Sequence, residues 1–286
     1  MISSIYGLNG VGKEFGERKH TSVALRNLTL NIAQGEQLAL LGPSGSGKTT
    51  LFRLLNGSIF PSSGQLLYRD RDVAAMSNAQ LREMRRKIGS VYQQHYLVSG
   101  MSVLRNTLSG ALGRWNAAST LVNLVNPRTV EVERAEHCLE TVGLKEKRRF
   151  HCDQLSGGQQ QRLAIARTLM QEPEVILADE PVASLDRVLS EEILGLLVRL
   201  ADDGRLTLLI SLHQVDLARR YSKRIVALRN GEIAFDVPTH ELDEQWLEQL
   251  YRSSREPSAQ PRPGALHDSA GGPDGADSSQ KRPCLR

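Results

Sequence analysis

The chain has 286 residues, of which 40% are hydrophobic, enough to bury a core in one large domain or two modest ones. Its three cysteines, Cys138, Cys152 and Cys284, are odd in number and lack metal-ligand spacing, which argues against a disulfide framework or zinc site and for a reducing, cytoplasmic setting. The formal charge of +4 permits contact with nucleic acid or anionic lipid, but the charges are scattered and aromatics make up only 5%, so no nucleic-acid partner is expected.

No run approaches the roughly 20 apolar residues of a membrane-spanning helix, and residues 1–12 lack the basic start and apolar core of a signal peptide. In chain order, Gly7-Leu8-Asn9-Gly10-Val11-Gly12 has the glycines of a nucleotide loop without its spacing or its lysine, and reads as a turn. The apolar run at 37–41 reads as a strand. It is followed by Gly42-Pro43-Ser44-Gly45-Ser46-Gly47-Lys48-Thr49-Thr50 and a helical pattern at 51–56. That is GxxxxGK(S/T) in its strand–loop–helix context, and chance supplies the spacing on the order of once in a hundred chains. Glycines let the backbone curl so that N–H groups and the helix N-terminus face phosphates. Lys48 is expected to reach the β- and γ-phosphates of ATP, and the Thr49 hydroxyl to ligate Mg²⁺.

A second strand is expected at 88–92, then a mostly helical insertion over 99–168, with 131–141 its clearest helix. The strand at 175–178 ends in Asp179-Glu180, adjacent carboxylates whose side chains diverge. In a P-loop protein that geometry suits Asp179 to the metal shell and Glu180 to polarising the attacking water. Further strands are expected at 207–211 and 224–228. Strands alternating with helices imply a largely parallel sheet covered on both faces. From residue 253 onward the chain turns to Pro, Ser, Gly and Asp, and 253–286 reads as a disordered tail behind a domain at 1–252.

Leu155-Ser156-Gly157-Gly158-Gln159, continuing as Gln160-Gln161-Arg162-Leu163-Ala164-Ile165-Ala166-Arg167, resembles the signature of ABC (ATP-binding cassette) ATPases. Read physically, Ser and two Gly ahead of a helix form a second anion cradle. The resemblance covers about residues 8–251 and implies an α/β P-loop NTPase of the ABC type, with a largely parallel core, a helical subdomain and a small antiparallel β region. It also implies a homodimer in which ATP lies between the P-loop of one subunit and the signature of the other. On the same resemblance Gln93 is the Q-loop glutamine, touching Mg²⁺ and the nucleophilic water and facing a transmembrane partner. Ser184-Leu185-Asp186 is the D-loop, and His213 the switch histidine at the γ-phosphate. Phe15 stacks on adenine, with Tyr6 as a weaker competitor. Each has a plainer reading, since a lone His after a strand, or an aromatic beside one, is ordinarily a core or surface residue.

Residues 94–113, Leu212-His213-Gln214-Val215-Asp216 and 224–229 look like phosphonate-importer ATPases, Gln214 standing where many members carry Asp. Residues 114–130 depart from that subfamily. The resemblance implies a subunit that couples ATP hydrolysis to uptake of phosphonate or a related phosphorus compound. It would sit peripherally on the cytoplasmic face of the inner membrane, with permease subunits and a periplasmic or lipoprotein solute-binding protein. The ATPase of an exporter and a non-transport ABC ATPase linked to nucleic acid or ribosomes are the alternatives.

Overall fold

The computed structural model describes residues 4–16, 21–94, 96–116, 119–120, 122–123, 126–204 and 206–251; the tail at 253–286 lies outside them. Among these the strands are β1 (Ser4–Phe15), β2 (Ser22–Ala33), β3 (Gln37–Leu41), β4 (Ser63–Tyr68), β5 (Arg71–Asp72), β6 (Ile88–Tyr92), β7 (Val175–Asp179), β8 (Thr207–Leu212), β9 (Arg224–Arg229) and β10 (Glu232–Pro238).

Every residue of β3, β7 and β8 is buried, as a continuous apolar run demands when both faces of a sheet are covered. They form the middle of a six-stranded sheet, β10-β9-β3-β8-β7-β6, parallel except for β10. Alternate side chains feed two cores. Ala39, Leu41, Ile176, Ala178, Leu208, Ile210 and Leu212 join one, and Leu38, Leu40, Val175, Leu177 and Leu209 join the other. The second core also holds Leu51, Phe52, Leu54 and Leu55 from the helix Lys48–Leu55, so that helix covers the same face as residues 175, 177 and 209. The strands read as 175–178, 207–211 and 224–228 each run one residue further, to Asp179, Leu212 and Arg229, each paired in register with a neighbouring strand.

The turn expected at residues 7–12 is instead the middle of β1, one of the two inner strands of a small antiparallel sheet, β2-β1-β4-β5. Tyr6, Leu8 and Val11 are buried on one face, and the missing alternation at Asn9-Gly10 is a bulge, marked by register shifts and by φ 61° at Gly10. Glycines there bend a strand; they do not end it.

The helical insertion is built from Val103–Ser109, Thr129–Thr141 and Gly157–Met170. Ala135 and Leu139, one turn apart, are the buried stripe of the middle helix, and Leu108, Ala111, Ala135 and Met170 close a small third core. Gly110 follows the first helix where it crosses the last. A Cβ there would overlap the Arg167 carbonyl oxygen and sit 3.1 Å from Met170 Cβ, whereas one at Gly113 meets nothing. Gly110→Ala should therefore push the helices apart and cost about 2 kcal/mol, seen as a lower urea midpoint, with Gly113→Ala unchanged as the control.

Candidate active site at the carboxyl edge of the sheet

Register aligns the carboxyl ends of five strands. Leu41 pairs with Leu212 and Ala227, Asp179 with Ser211, and Tyr92 with Asp179. The P-loop, Glu180, His213 and Gln93 therefore leave the sheet along one line, where ligands sit in open α/β folds.

Within the P-loop, Gly42 (φ 152°) and Gly47 (φ 107°) occupy backbone that only glycine adopts cheaply. A Cβ at Gly47 would come within 2.8 Å of the Ala24 carbonyl, and one at Gly42 within 2.6 Å of Ser46 Oγ. Gly47 is also the N-cap of Lys48–Leu55 and offers no side chain to the helix end, leaving its N–H groups for an anion. Lys48 is buried, and its ammonium donates to the carbonyls of Gly42 (2.8 Å) and Pro43 (3.1 Å). Burial lowers its pKa, while the nearby charges of Glu180 and Asp179 pull it back up. The Ser46 hydroxyl is buried without a partner. A spare donor and a desolvated cation in one glycine-lined loop fit a phosphate chain.

Asp179 is buried at the end of β7, and its Oδ1 accepts from Ser211 Oγ at 2.7 Å. Its other oxygen, with the exposed Thr49 hydroxyl and the Gln93 amide oxygen, supplies the hard-oxygen donors that Mg²⁺ takes. Glu180 has φ 49°, a left-handed backbone that costs an L-residue about 1–2 kcal/mol. Two contacts hold it there. Its amide donates to Ser211 Oγ at 2.8 Å, and its Oε1 lies 2.5 Å from His213 Nε2. Gln93 Nε2 donates to Ser184 Oγ at 3.4 Å, linking the Q-loop candidate to the D-loop candidate. Asp186 caps the helix Arg187–Gly204 through the Leu189 amide at 3.0 Å.

The structure thus gathers Lys48, Asp179, Glu180 and His213, but the signature residues make their hydrogen bonds elsewhere. Ser156 caps the helix Gly157–Met170 in a capping box, accepting from the Gln159 amide while Gln159 Oε1 accepts from the Ser156 amide (3.2 Å) and from Lys147 Nζ (3.0 Å). Gly158 packs under Leu189, whose methyl group would lie 3.2 Å from an added Cβ. Phe15 ends β1 half-exposed, with Lys13 Nζ 5.2 Å from its ring centre, a surface able to stack on a base. Tyr6 has no such surface: it is fully buried, donates to the Leu55 carbonyl at 3.1 Å and packs on Tyr68. Sequence reasoning passed over Ser211 as a strand residue. The signal was a lone hydroxyl in the apolar run Leu208-Leu209-Ile210-Ser211-Leu212, two residues before His213.

The family profile described as ABC transporter matches residues 25–183, more than half of the chain. A phosphonates import ATP-binding protein of Frankia casuarinae is 45% identical over 245 residues, covering 85% of this chain and 94% of that protein. Another, from Lactiplantibacillus plantarum, is 41% identical over 247 residues, with 86% and 94% covered. Among solved structures, a dimeric bacterial ABC transporter cassette matches with a TM-score of 0.72 at 31% identity, over 83% of this chain and all of that one. A dimeric post-hydrolysis cassette bound to ADP and Pi matches at 0.70 and 32% identity, with the same coverage. The α/β architecture, with its parallel core, helical insertion and small antiparallel sheet, is the cassette fold, and the chain belongs to the ABC transporter family.

Proposed function

We propose that this chain is the ATP-hydrolysing subunit of an importer for phosphonates or a related phosphorus compound. The observation that carries the chemistry is the convergence of a buried cation, Lys48, with Asp179 and the Glu180–His213 pair at one edge of the sheet. Support for the substrate class comes from relatives at 41–45% identity that are phosphonates import ATP-binding proteins. No helix among the described residues is long and apolar enough to cross a membrane, which fits a peripheral subunit working under separate permease subunits, fed by a solute-binding protein outside the inner membrane. Residues 1–252 then form the ATP-binding domain, with 99–168 as its helical subdomain.

In this reading Lys48 and the P-loop amides bind the phosphates, the orphan hydroxyl of Ser46 gains an acceptor, and Phe15 carries the base. Thr49, Asp179 and Gln93 would hold Mg²⁺, which would supply positive charge against the phosphates. Glu180 orients the attacking water and takes its proton at the carboxylate, while His213 holds that carboxylate and meets the γ-phosphate. Ser156, Gly157, Gly158 and Gln159 serve the nucleotide on the partner subunit, as a split site in a two-fold homodimer requires. The dimeric cassettes it resembles support that arrangement. Hydrolysis therefore waits for closure of two copies, and its products release them.

Glu180→Gln should keep ATP binding, slow hydrolysis by about 100-fold or more, and accumulate an ATP-bound dimer in size exclusion; normal turnover would remove Glu180 from the mechanism. Lys48→Ala should weaken nucleotide binding itself by about 10- to 100-fold in a fluorescence titration, the loss of a charge-assisted donor to phosphate. For the substrate, the chain purified in detergent with its membrane partners should hydrolyse ATP faster when a phosphonate and its binding protein are added. Stimulation by nucleic acid or ribosomes, with no membrane partner recovered, would keep the ATPase and overturn the importer.

A further inference from the structure

Ser211 is fully buried and sits directly across the parallel ladder from Asp179. The two residues stand two and four positions beyond Leu209 and Val175, so their side chains share the face covered by the P-loop helix Lys48–Leu55. The single proton of the hydroxyl has only one use. The Glu180 amide already brings a proton to Oγ, so the hydroxyl proton must go to the acceptor-only carboxylate, Asp179 Oδ1. One side chain thereby grips the metal-candidate carboxylate through its oxygen and the neighbouring residue through its backbone. Two residues further along the same chain, His213 grips the Glu180 side chain. Both carboxylates are thus fixed from one strand end, and Glu180 is fixed in a backbone conformation that its own side chain disfavours.

We propose that Ser211 is a positioning residue of the ATPase: by holding Asp179 Oδ1 and the Glu180 amide together, it sets which Asp179 oxygen is free for the metal and holds the Glu180 carboxylate where His213 can reach it. The proposal rests on the reading of Asp179 and Glu180 given above. A plainer role, satisfying a buried carboxylate, would need only the first of the two bonds. The second bond, from the Glu180 amide, is what a positioning role requires, and it is measurable without nucleotide or metal.

The test compares Ser211→Thr, which keeps the hydroxyl, with Ser211→Val, which has the same shape without it, in the full-length chain. Hydrogen exchange at the Glu180 amide is read first, in the nucleotide-free protein. The valine variant should exchange there about tenfold faster than wild type, one hydrogen bond's worth of protection, while the threonine variant stays close to wild type. In ATPase assays the valine variant should lose kcat by about 10-fold or more, require more Mg²⁺ for half-maximal rate, and keep its KM for ATP; threonine should restore the first two. Equal Glu180 exchange in the two variants would overturn the proposal, as would a valine variant with wild-type kcat and Mg²⁺ requirement. Should the larger side chains lower the melting temperature, Ser211→Ala repeats both measurements without added volume. If Glu180→Gln turned over normally, the catalytic reading would fail on that result, while the exchange data would still report whether the clamp exists.

Discussion

The register of the parallel ladder is the constraint on which everything else in this molecule depends. The strand ends carry the functional groups, and most of the alignment comes from apolar side chains alternating into two cores, with Gln37 and Asp179 the polar residues of β3 and β7. A slip of one residue would turn Val175 and Leu177 toward the wrong core and carry Asp179 away from Ser211. Hydrophobic burial therefore fixes the position of charges it never touches. The catalytic loops need little rigidity of their own beyond the few bonds at their roots.

At the end of that ladder lies an electrostatic balance. Lys48 is desolvated, which disfavours its charge, and Glu180 and Asp179 offset part of that penalty. Its ammonium is occupied by two carbonyls of its own loop, so a phosphate entering the loop exchanges partners with it and does not meet a bare cation. The carboxylates are held just as firmly, by Ser211 and His213. Preorganisation of this kind suits phosphoryl transfer, where positioning and charge stabilisation do most of what the protein contributes.

Legibility in the sequence follows from the same physics. β3, β7, β8 and β9 were readable because doubly covered strands are nearly continuous apolar runs, and the shorter apolar signal of Ile88, Val91 and Tyr92 marked β6 at the sheet edge. β1 was misread at Gly7–Gly12 because a bulge breaks the alternation that marks a half-buried strand. Strands β2 and β10 went unread because much of each is exposed. Motif residues such as Lys48 and Asp179 were legible because their chemistry requires neighbours at fixed spacing along the chain. Ser211 was not, because its partners lie 31 and 32 residues away and are brought to it only by register. The capping role of Ser156 and Gln159 follows from Ser-x-x-Gln ahead of a helix, a pattern that stayed in the shadow of the phosphate-binding reading.

That capping role bears on how the two halves of the site divide their labour. With the Ser156 and Gln159 side-chain oxygens accepting at their own helix end, what this cradle presents outward is donors: the Ser156 hydroxyl proton, the Gln159 NH2 group and the positive end of a 14-residue helix. Such a cradle senses charge and depends on where the whole helix stands. The insertion that carries this helix is tied to the chain just beyond Gln93, since the buried Asn106 side chain accepts from the Val98 amide and donates to its carbonyl, both at 3.0 Å. Gln93 in turn reaches Ser184, ahead of the capped helix Arg187–Gly204. Side-chain bonds thus hold the insertion to Val98 and Gln93 to Ser184, while Asp179 and Glu180 are bonded to Ser211 at the end of the ladder. On the proposed reading, one half of the site is set by register and the other, at the start of the helix Gly157–Met170, by where the insertion stands, the division that closure by a second subunit would need.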